Sequence, residues 1–147
     1  MVELVLPNDA NTLGNVLGGR VLHWIDLAAA IVAHRHCRSE TVTVSLDQMS
    51  FLAPIKVGQM AVIDARMTYT GRTSMEIRVD VESEDLLTGA RNRTSTAYLT
   101  FVAIDKQGRP RPVPPLRPET EEERREARAA EARRQARLQA RPHHPPT

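Results

Sequence analysis

From Trp24 to Ala33 the chain is apolar at every position except one, Asp26. An unbroken apolar stretch of this kind, opened by Gly18-Gly19, predicts a helix with no solvent face, which belongs in a core. Further along, the period changes from helical to alternating. Val42, Val44 and Leu46 alternate with Thr41, Thr43 and Ser45, which reads as a half-buried strand whose apolar side faces inward. After Asp47 the parity flips to Met49 and Phe51, so a β-bulge is expected near Asp47-Gln48. Pro54 and Gly58 mark a turn, and Ala61, Ile63, Ala65, Met67 and Tyr69 line a second strand. The tight connection Thr70-Gly71-Arg72-Thr73 leads to the clearest alternation in the chain, Met75, Ile77, Val79 and Val81. A last strand is expected from about Thr94 to Ile104, after the loop at Thr88-Gly89. The predicted order is a short strand, one long buried helix and an antiparallel meander.

A helix of about 20 residues is ~30 Å long. One small sheet curled around it covers only part of its surface, so a second subunit is expected to supply the rest. The domain is placed at residues 1–116. Residues 117–147 form a charged tail in which Thr120 and Glu123 make a capping box. Leu138 is nearly the only large apolar residue there, which predicts a solvated or loosely docked helix with a disordered end from Pro142 to Thr147.

Charge and composition narrow the function. The 147 residues carry a net charge of only +2, and up to Leu116 the signs balance at twelve each, so the excess basicity lies in the tail. Two Phe, two Tyr and one Trp offer no stacking platform for nucleic acid. The single cysteine, Cys37, excludes an internal disulfide and a cysteine-based metal cluster; no metal site is expected. The opening Met1-Val2-Glu3-Leu4 has no signal character, and the apolar part of the helix is too short to span a bilayer. A cytoplasmic protein with no membrane partner is the expectation.

A carboxylate in an apolar helix must find hydrogen bonds, a charge partner or a raised pKa, and such groups are enriched at catalytic sites. Gly18-Gly19 leaves the first N–H groups of the helix open to an approaching ligand, at the positive end of the helix dipole. Free donors in that position suit a developing oxyanion. The plain structural alternatives are an Asp satisfied by neighbouring groups and a glycine pair needed for close packing.

The order and spacing of several short segments then become specific. Pro7-Asn8-Asp9-Ala10-Asn11, Gly14-Asn15-Val16, Gly18-Gly19, Asp26, Arg35-His36-Cys37, Asp47-Gln48-Met49-Ser50-Phe51, Arg66-Met67-Thr68-Tyr69-Thr70, Ser74-Met75-Glu76-Ile77 and Pro112-Val113-Pro114 together resemble the acyl-CoA thioesterases of the hot-dog fold, in the bacterial and brain-type group. The likeness runs from about Val5 to Thr120. It implies an α+β fold in which a curved antiparallel sheet wraps one long central helix. It also implies a dimer, assembled further into a hexamer as a trimer of dimers. The active site implied by the family pairs an Asn before the helix, here Asn11, with the acidic residue within it, Asp26, across a subunit interface.

On this reading the chain hydrolyses acyl-CoA to a free acid and CoA, with CoA as part of substrate and product and no other cofactor. Asp26 acts as general base on water or as nucleophile, Gly19 and Gly18 supply backbone donors to the thioester carbonyl, and Asn11 orients the water or the carbonyl. Arg72, Thr73, Ser74, Arg91 and Arg93 are candidates for contacts with CoA, since Arg matches phosphate geometry. His23, one turn before Asp26, would suit a dehydratase, the fold's other chemistry, and a non-catalytic acyl-CoA or nucleotide sensor is the third class. Asp47 is expected to be structural.

Overall fold

The computed structural model of the chain describes residues 1–140, so the run from Pro142 to Thr147 lies outside the described residues. Strand β1 (Val2–Leu4) comes first, then helix α1 (Gly18–Cys37), four strands, β2 (Glu40–Phe51), β3 (Met60–Thr70), β4 (Ser74–Glu84) and β5 (Arg91–Ile104), and helix α2 (Glu121–Ala140). All strand pairs are antiparallel, in the order β1-β3-β4-β5-β2. The sheet curls around α1, whose Val21, Trp24, Ile25, Ala28, Ala29 and Ala33 pack on Met75, Ile77, Val79 and Val81 of β4 and on Leu99 and Phe101 of β5. This is the hot-dog arrangement.

The predicted elements form, but one pairing differs from a simple meander. β2 lies beside β5 rather than β3. The segment after Phe51 therefore crosses the sheet before β3 begins next to β1. Val16 donates to the carbonyl of Ile55 at 2.8 Å and Val57 to that of Gly14 at 3.0 Å, so this crossing is stitched to the loop ahead of α1. As a result β2 is an edge strand, with a neighbouring strand on one side only among the described residues.

The faces of β2 also differ from expectation. Thr41 and Thr43 turn toward α1, where the Thr41 hydroxyl lies 3.3 Å from His34 and the Thr43 hydroxyl donates to Asp26. Val42 and Val44 point away and remain exposed. The period was legible but the inward side was not, because hydrophobic alternation assigns the apolar side to the core. Two register shifts occur, between Thr43 and Ser45 and between Leu46 and Gln48, so Val44 and Asp47 are the inserted residues. The expected bulge at Asp47 is present, accompanied by a second.

Helix α2 is solvated on its outer side only. Its inner stripe docks on the far face of the sheet through charges. Arg66 Nε donates to Glu126 at 3.1 Å, and Arg133 reaches Glu76 at 2.7 Å while its guanidinium lies 3.9 Å from the Tyr98 ring centroid. Arg137 bridges Asp47 at 3.2 Å and Glu76 at 3.5 Å. Glu76 is only 2% exposed and accepts a further bond from Thr68 at 2.6 Å, so its desolvation is answered from three sides. A search for large apolar residues misses this mode of docking, since only Ala130 is fully buried. The helix cap is a shifted box: Thr120 accepts from the Glu123 amide, and Glu123 accepts from the Glu119 amide one residue further back.

These ion pairs make the docking acid-labile. The hydrogen bond and charge of Arg66 hold the Glu126 carboxyl below its ordinary range. Burial pushes Asp80 up, but the Thr96 hydroxyl and the charges of Arg78 and Arg93 outweigh it and hold that group low. A depressed carboxylate stabilises the fold fully above its unfolded pKa, ~4, and loses that contribution as pH falls further. Hydrogen exchange across α2, corrected for intrinsic rates, is expected to show full protection at pH 6 and loss of protection near pH 3. Equal protection at both values would contradict ionic docking.

Candidate functional site

The helix start and the carboxylate sit on the same element but not at the same place. α1 begins after Leu17, which provides no side-chain cap. A Cβ built on Gly18 or Gly19 meets nothing within 4 Å. Close packing in this chain therefore does not require either glycine, and the open space lies at free N–H groups. Beside them is an apolar cleft of about 280 Å³ lined by Val16, Gly18, Val21, Phe51, Pro54 and Ile55, among others.

Asp26 lies seven positions beyond Gly19, ~10 Å along the axis at 1.5 Å per residue. The expectation that it is buried is corrected by the single chain, in which Asp26 is exposed. It belongs to a face of α1 that the sheet leaves uncovered, where Leu27 and Ile31 are 45% and 46% exposed. Its one hydrogen bond among the described residues comes from the Thr43 hydroxyl, at 2.9 Å to Oδ1, which leaves Oδ2 open. Sequence reasoning missed Thr43. A threonine alternating with valines reads as the solvent side of a strand, and only the nearby change of parity hinted that the sides were exchanged.

Asn11 stands in the loop before the helix. Its Oδ1 accepts from the Leu13 amide at 2.9 Å and the Asn15 amide at 3.2 Å. Gly14 closes this turn at φ 77°, a conformation that favours glycine. With its oxygen occupied by backbone, the side chain has its NH2 group left to offer. No hydrogen bond joins Asn11 to Asp26 within the chain.

The basic candidates separate into two groups. Arg91 is engaged by Glu84 at 2.7 Å, and Arg93 by Asp80 at 3.5 Å and Glu82 at 3.8 Å, so a phosphate there would compete with carboxylates. Arg72 has no carboxylate within 4 Å among the described residues. With Thr73 and Ser74 it lies at the β3–β4 turn. His23 makes no hydrogen bond among the described residues, so none of them orients it through one. Asp47 accepts from Thr100 at 3.1 Å and from Arg137, consistent with a structural role.

A family model described as the thioesterase superfamily matches residues 13–90. The chain is 46% identical over 119 residues to the uncharacterized acyl-CoA thioester hydrolase YkhA of Bacillus subtilis, covering 81% of this chain and 69% of that protein. It is 40% identical over 126 residues to the cytosolic acyl coenzyme A thioester hydrolase of Homo sapiens, covering 84% of this chain but only 33% of that protein. The chain thus spans about a third of its mammalian relative. Among solved structures, an apo-hexameric acyl-CoA thioesterase superposes with a TM-score of 0.91 at 45% identity, covering 95% of this chain and 89% of the other. The acyl-CoA hydrolase of Staphylococcus aureus, solved with butyryl coenzyme A, coenzyme A and coenzyme A disulfide, gives 0.87 at 35% identity, covering 94% and 84%. The chain belongs to the thioesterase superfamily, in its hot-dog acyl-CoA hydrolase branch.

The open glycine pair yields a test. Alanine is the better helix former by up to about 1 kcal/mol, and nothing in the chain obstructs its Cβ. Gly19→Ala is therefore expected to raise or preserve the melting temperature while lowering turnover of a thioester substrate. A variant as active as the parent would show that no ligand approaches this backbone.

Proposed function

We propose that the chain hydrolyses acyl-CoA thioesters to a carboxylic acid and CoA, in a site that two subunits complete. The observation that carries this reading is Asp26, presented on an uncovered helix face with one oxygen held by Thr43 and the other free. Support comes from relatives and structural neighbours that are named acyl-CoA hydrolases. Further support comes from spacing. Three structures of the S. aureus enzyme carry an aspartate, an asparagine or a threonine replaced by alanine. The intervals between those positions equal the intervals from Asn11 to Asp26 and from Asp26 to Thr43.

One thioester carbonyl cannot touch Gly19 and Asp26 of the same helix when ~10 Å separates them along the axis. A second chain resolves this. β2 is a long edge strand flanked by exposed Val42, Val44 and Leu46, and α1 leaves Leu22, Leu27 and Ile31 uncovered beside it. Unpaired edges of this length are normally covered or paired. In a two-fold dimer closed on this face, the helix start and Asn11 of one protomer approach Asp26 of its partner, and two identical sites result. The hexameric relatives support further assembly of such dimers.

In the reaction, water held by the free oxygen of Asp26 attacks the thioester carbon and gives its proton to the carboxylate. Negative charge moves to the carbonyl oxygen, where the Gly18-Gly19 N–H groups and the Asn11 NH2 donate to it. Asn11 acts there as a donor, because its own oxygen is taken by Leu13 and Asn15. Collapse of the tetrahedral intermediate breaks the carbon–sulfur bond, and the departing thiolate recovers the proton from Asp26. Attack by Asp26 itself through an anhydride is the competing course. The apolar cleft at Gly18 takes the uncharged arm that bears the thioester, and Arg72, Thr73 and Ser74 remain candidates for the CoA phosphates. No second cofactor enters this chemistry. A cytosolic location is the reading that the mammalian relative's name supports.

Asp26→Asn keeps shape and removes the base. Thiol release from a panel of acyl-CoA lengths is expected to fall by at least ~100-fold, with circular dichroism and CoA binding unchanged. A folded variant that turns over near the parental rate would sink the assignment.

A further inference from the structure

The charged tail helix lies on the opposite side of the sheet from the site, yet one of its side chains reaches the strand that carries Thr43. We infer that Arg137, with Asp47 and Thr100, is a positioning residue for hydrolysis: it pins the bulge of β2 at Asp47 and so holds the register that sets the Thr43 hydroxyl against Asp26. The inference rests on the reading above in which Asp26 is the reacting carboxylate.

Among the described residues β2 pairs with β5 alone, and it contains two inserted residues within four positions, Val44 and Asp47. Each insertion exchanges the faces of the strand, because side chains alternate with a period of two. The first one follows Thr43 directly. With the bulges where they stand, Thr43 lies opposite Phe101, a core residue, and points at α1. A slip of one residue would bring Val42 or Val44 to that place, and Asp26 would lose its only hydrogen bond among the described residues. Edge strands with weakly specified pairing are prone to such slippage.

What resists the slip is on the outer face. The inserted residue Asp47 has a carboxylate only 12% exposed, caught by the Thr100 hydroxyl of β5 at 3.1 Å and by Arg137 of α2 at 3.2 Å. Arg137 is itself fixed by buried Glu76 of β4 at 3.5 Å. Two elements, β5 and α2, thus converge on one bulge residue, with β4 holding the arginine, and all of these contacts lie on the face of the sheet that carries α2. Bulges beside active sites commonly re-aim a side chain; here a charge from the tail holds the bulge in place.

The experiment is a steady-state cycle on the full chain with Arg137→Ala, Thr43→Val and the double variant. Displacement of a reacting group by a fraction of an ångström to one ångström costs ~10- to 100-fold in turnover. Arg137→Ala is expected to lower kcat by about tenfold with KM within about twofold, the signature of a transition-state effect. In the Thr43→Val background the same change is expected to cost almost nothing, since there is no hydroxyl left to aim. Arg137→Lys is expected to restore most of the rate, and Arg124→Ala, an exposed ion-pair change elsewhere on α2, to leave it unaltered. Equal losses with and without Thr43, a change in KM alone, or loss of fold or assembly in Arg137→Ala would each overturn the inference. If Thr43→Val leaves kcat unchanged while Arg137→Ala lowers it, the Thr43–Asp26 contact does not contribute to turnover, and the positioning inference fails with it. If Thr43→Val lowers kcat and Arg137→Ala does not, only the inference about the tail fails.

Discussion

A sheet of five strands is too narrow to enclose a helix of 20 residues, and the rest of the molecule follows from that shortfall. The covered side of α1 supplies the core, with Ile25, Ala29 and Ala33 fully buried against β4 and β5. The uncovered side carries Asp26 among Leu22, Leu27 and Ile31. A carboxylate there is solvated in the single chain and enters an apolar setting only when another surface closes over it. On the proposed reading, association and formation of the reaction site are one event.

The second constraint is the bulged edge strand. An alternating strand would place either all of its hydroxyls or all of its valines toward the helix. Two insertions let β2 turn Thr43 to Asp26 at one point and return Met49 to the core a few residues later. Tolerance of such a strand requires support from outside the sheet, and α2 provides it with charge rather than with apolar area. Glu76 is the hub of that support: buried, and bonded by Thr68, Arg133 and Arg137. Removal of one partner from such a hub leaves an uncompensated charge, which is far more costly than the net worth of the intact network.

These two constraints explain what could be read from residues alone. Asp26 and the Gly18-Gly19 pair were legible because each breaks a local rule, one a charge in an apolar run and the other the poorest common helix former at a helix start. The bulge at Asp47 was legible as a change of parity. The inward direction of Thr43 was not, since Val42 and Val44 satisfy the apolar pattern equally well on the wrong face, and a second insertion at Val44 leaves no mark in the alternation. Pairing of β2 with β5 was hidden for a related reason: strand adjacency is set by the crossing at residues 52–59, not by the composition of either strand. The sequence allowed a solvated or loosely docked α2, but its ionic docking was not legible, because Glu76, Asp47 and Arg66 look like solvent-facing charges until the fold brings them against the helix.

The central claim is that each reaction site takes its donors from one protomer and its carboxylate from the other. Mixing Asn11→Ala and Asp26→Asn chains tests it most directly. After joint unfolding and refolding, half of the dimers are mixed, and under two-fold symmetry one of the two sites in each collects both substitutions while the other collects neither. Two inactive parents are therefore expected to recover about a quarter of wild-type thiol release, with native mass spectrometry confirming that mixed dimers form. If they form and activity stays at the parental background, Asn11 and Asp26 act within one chain and the shared site is wrong.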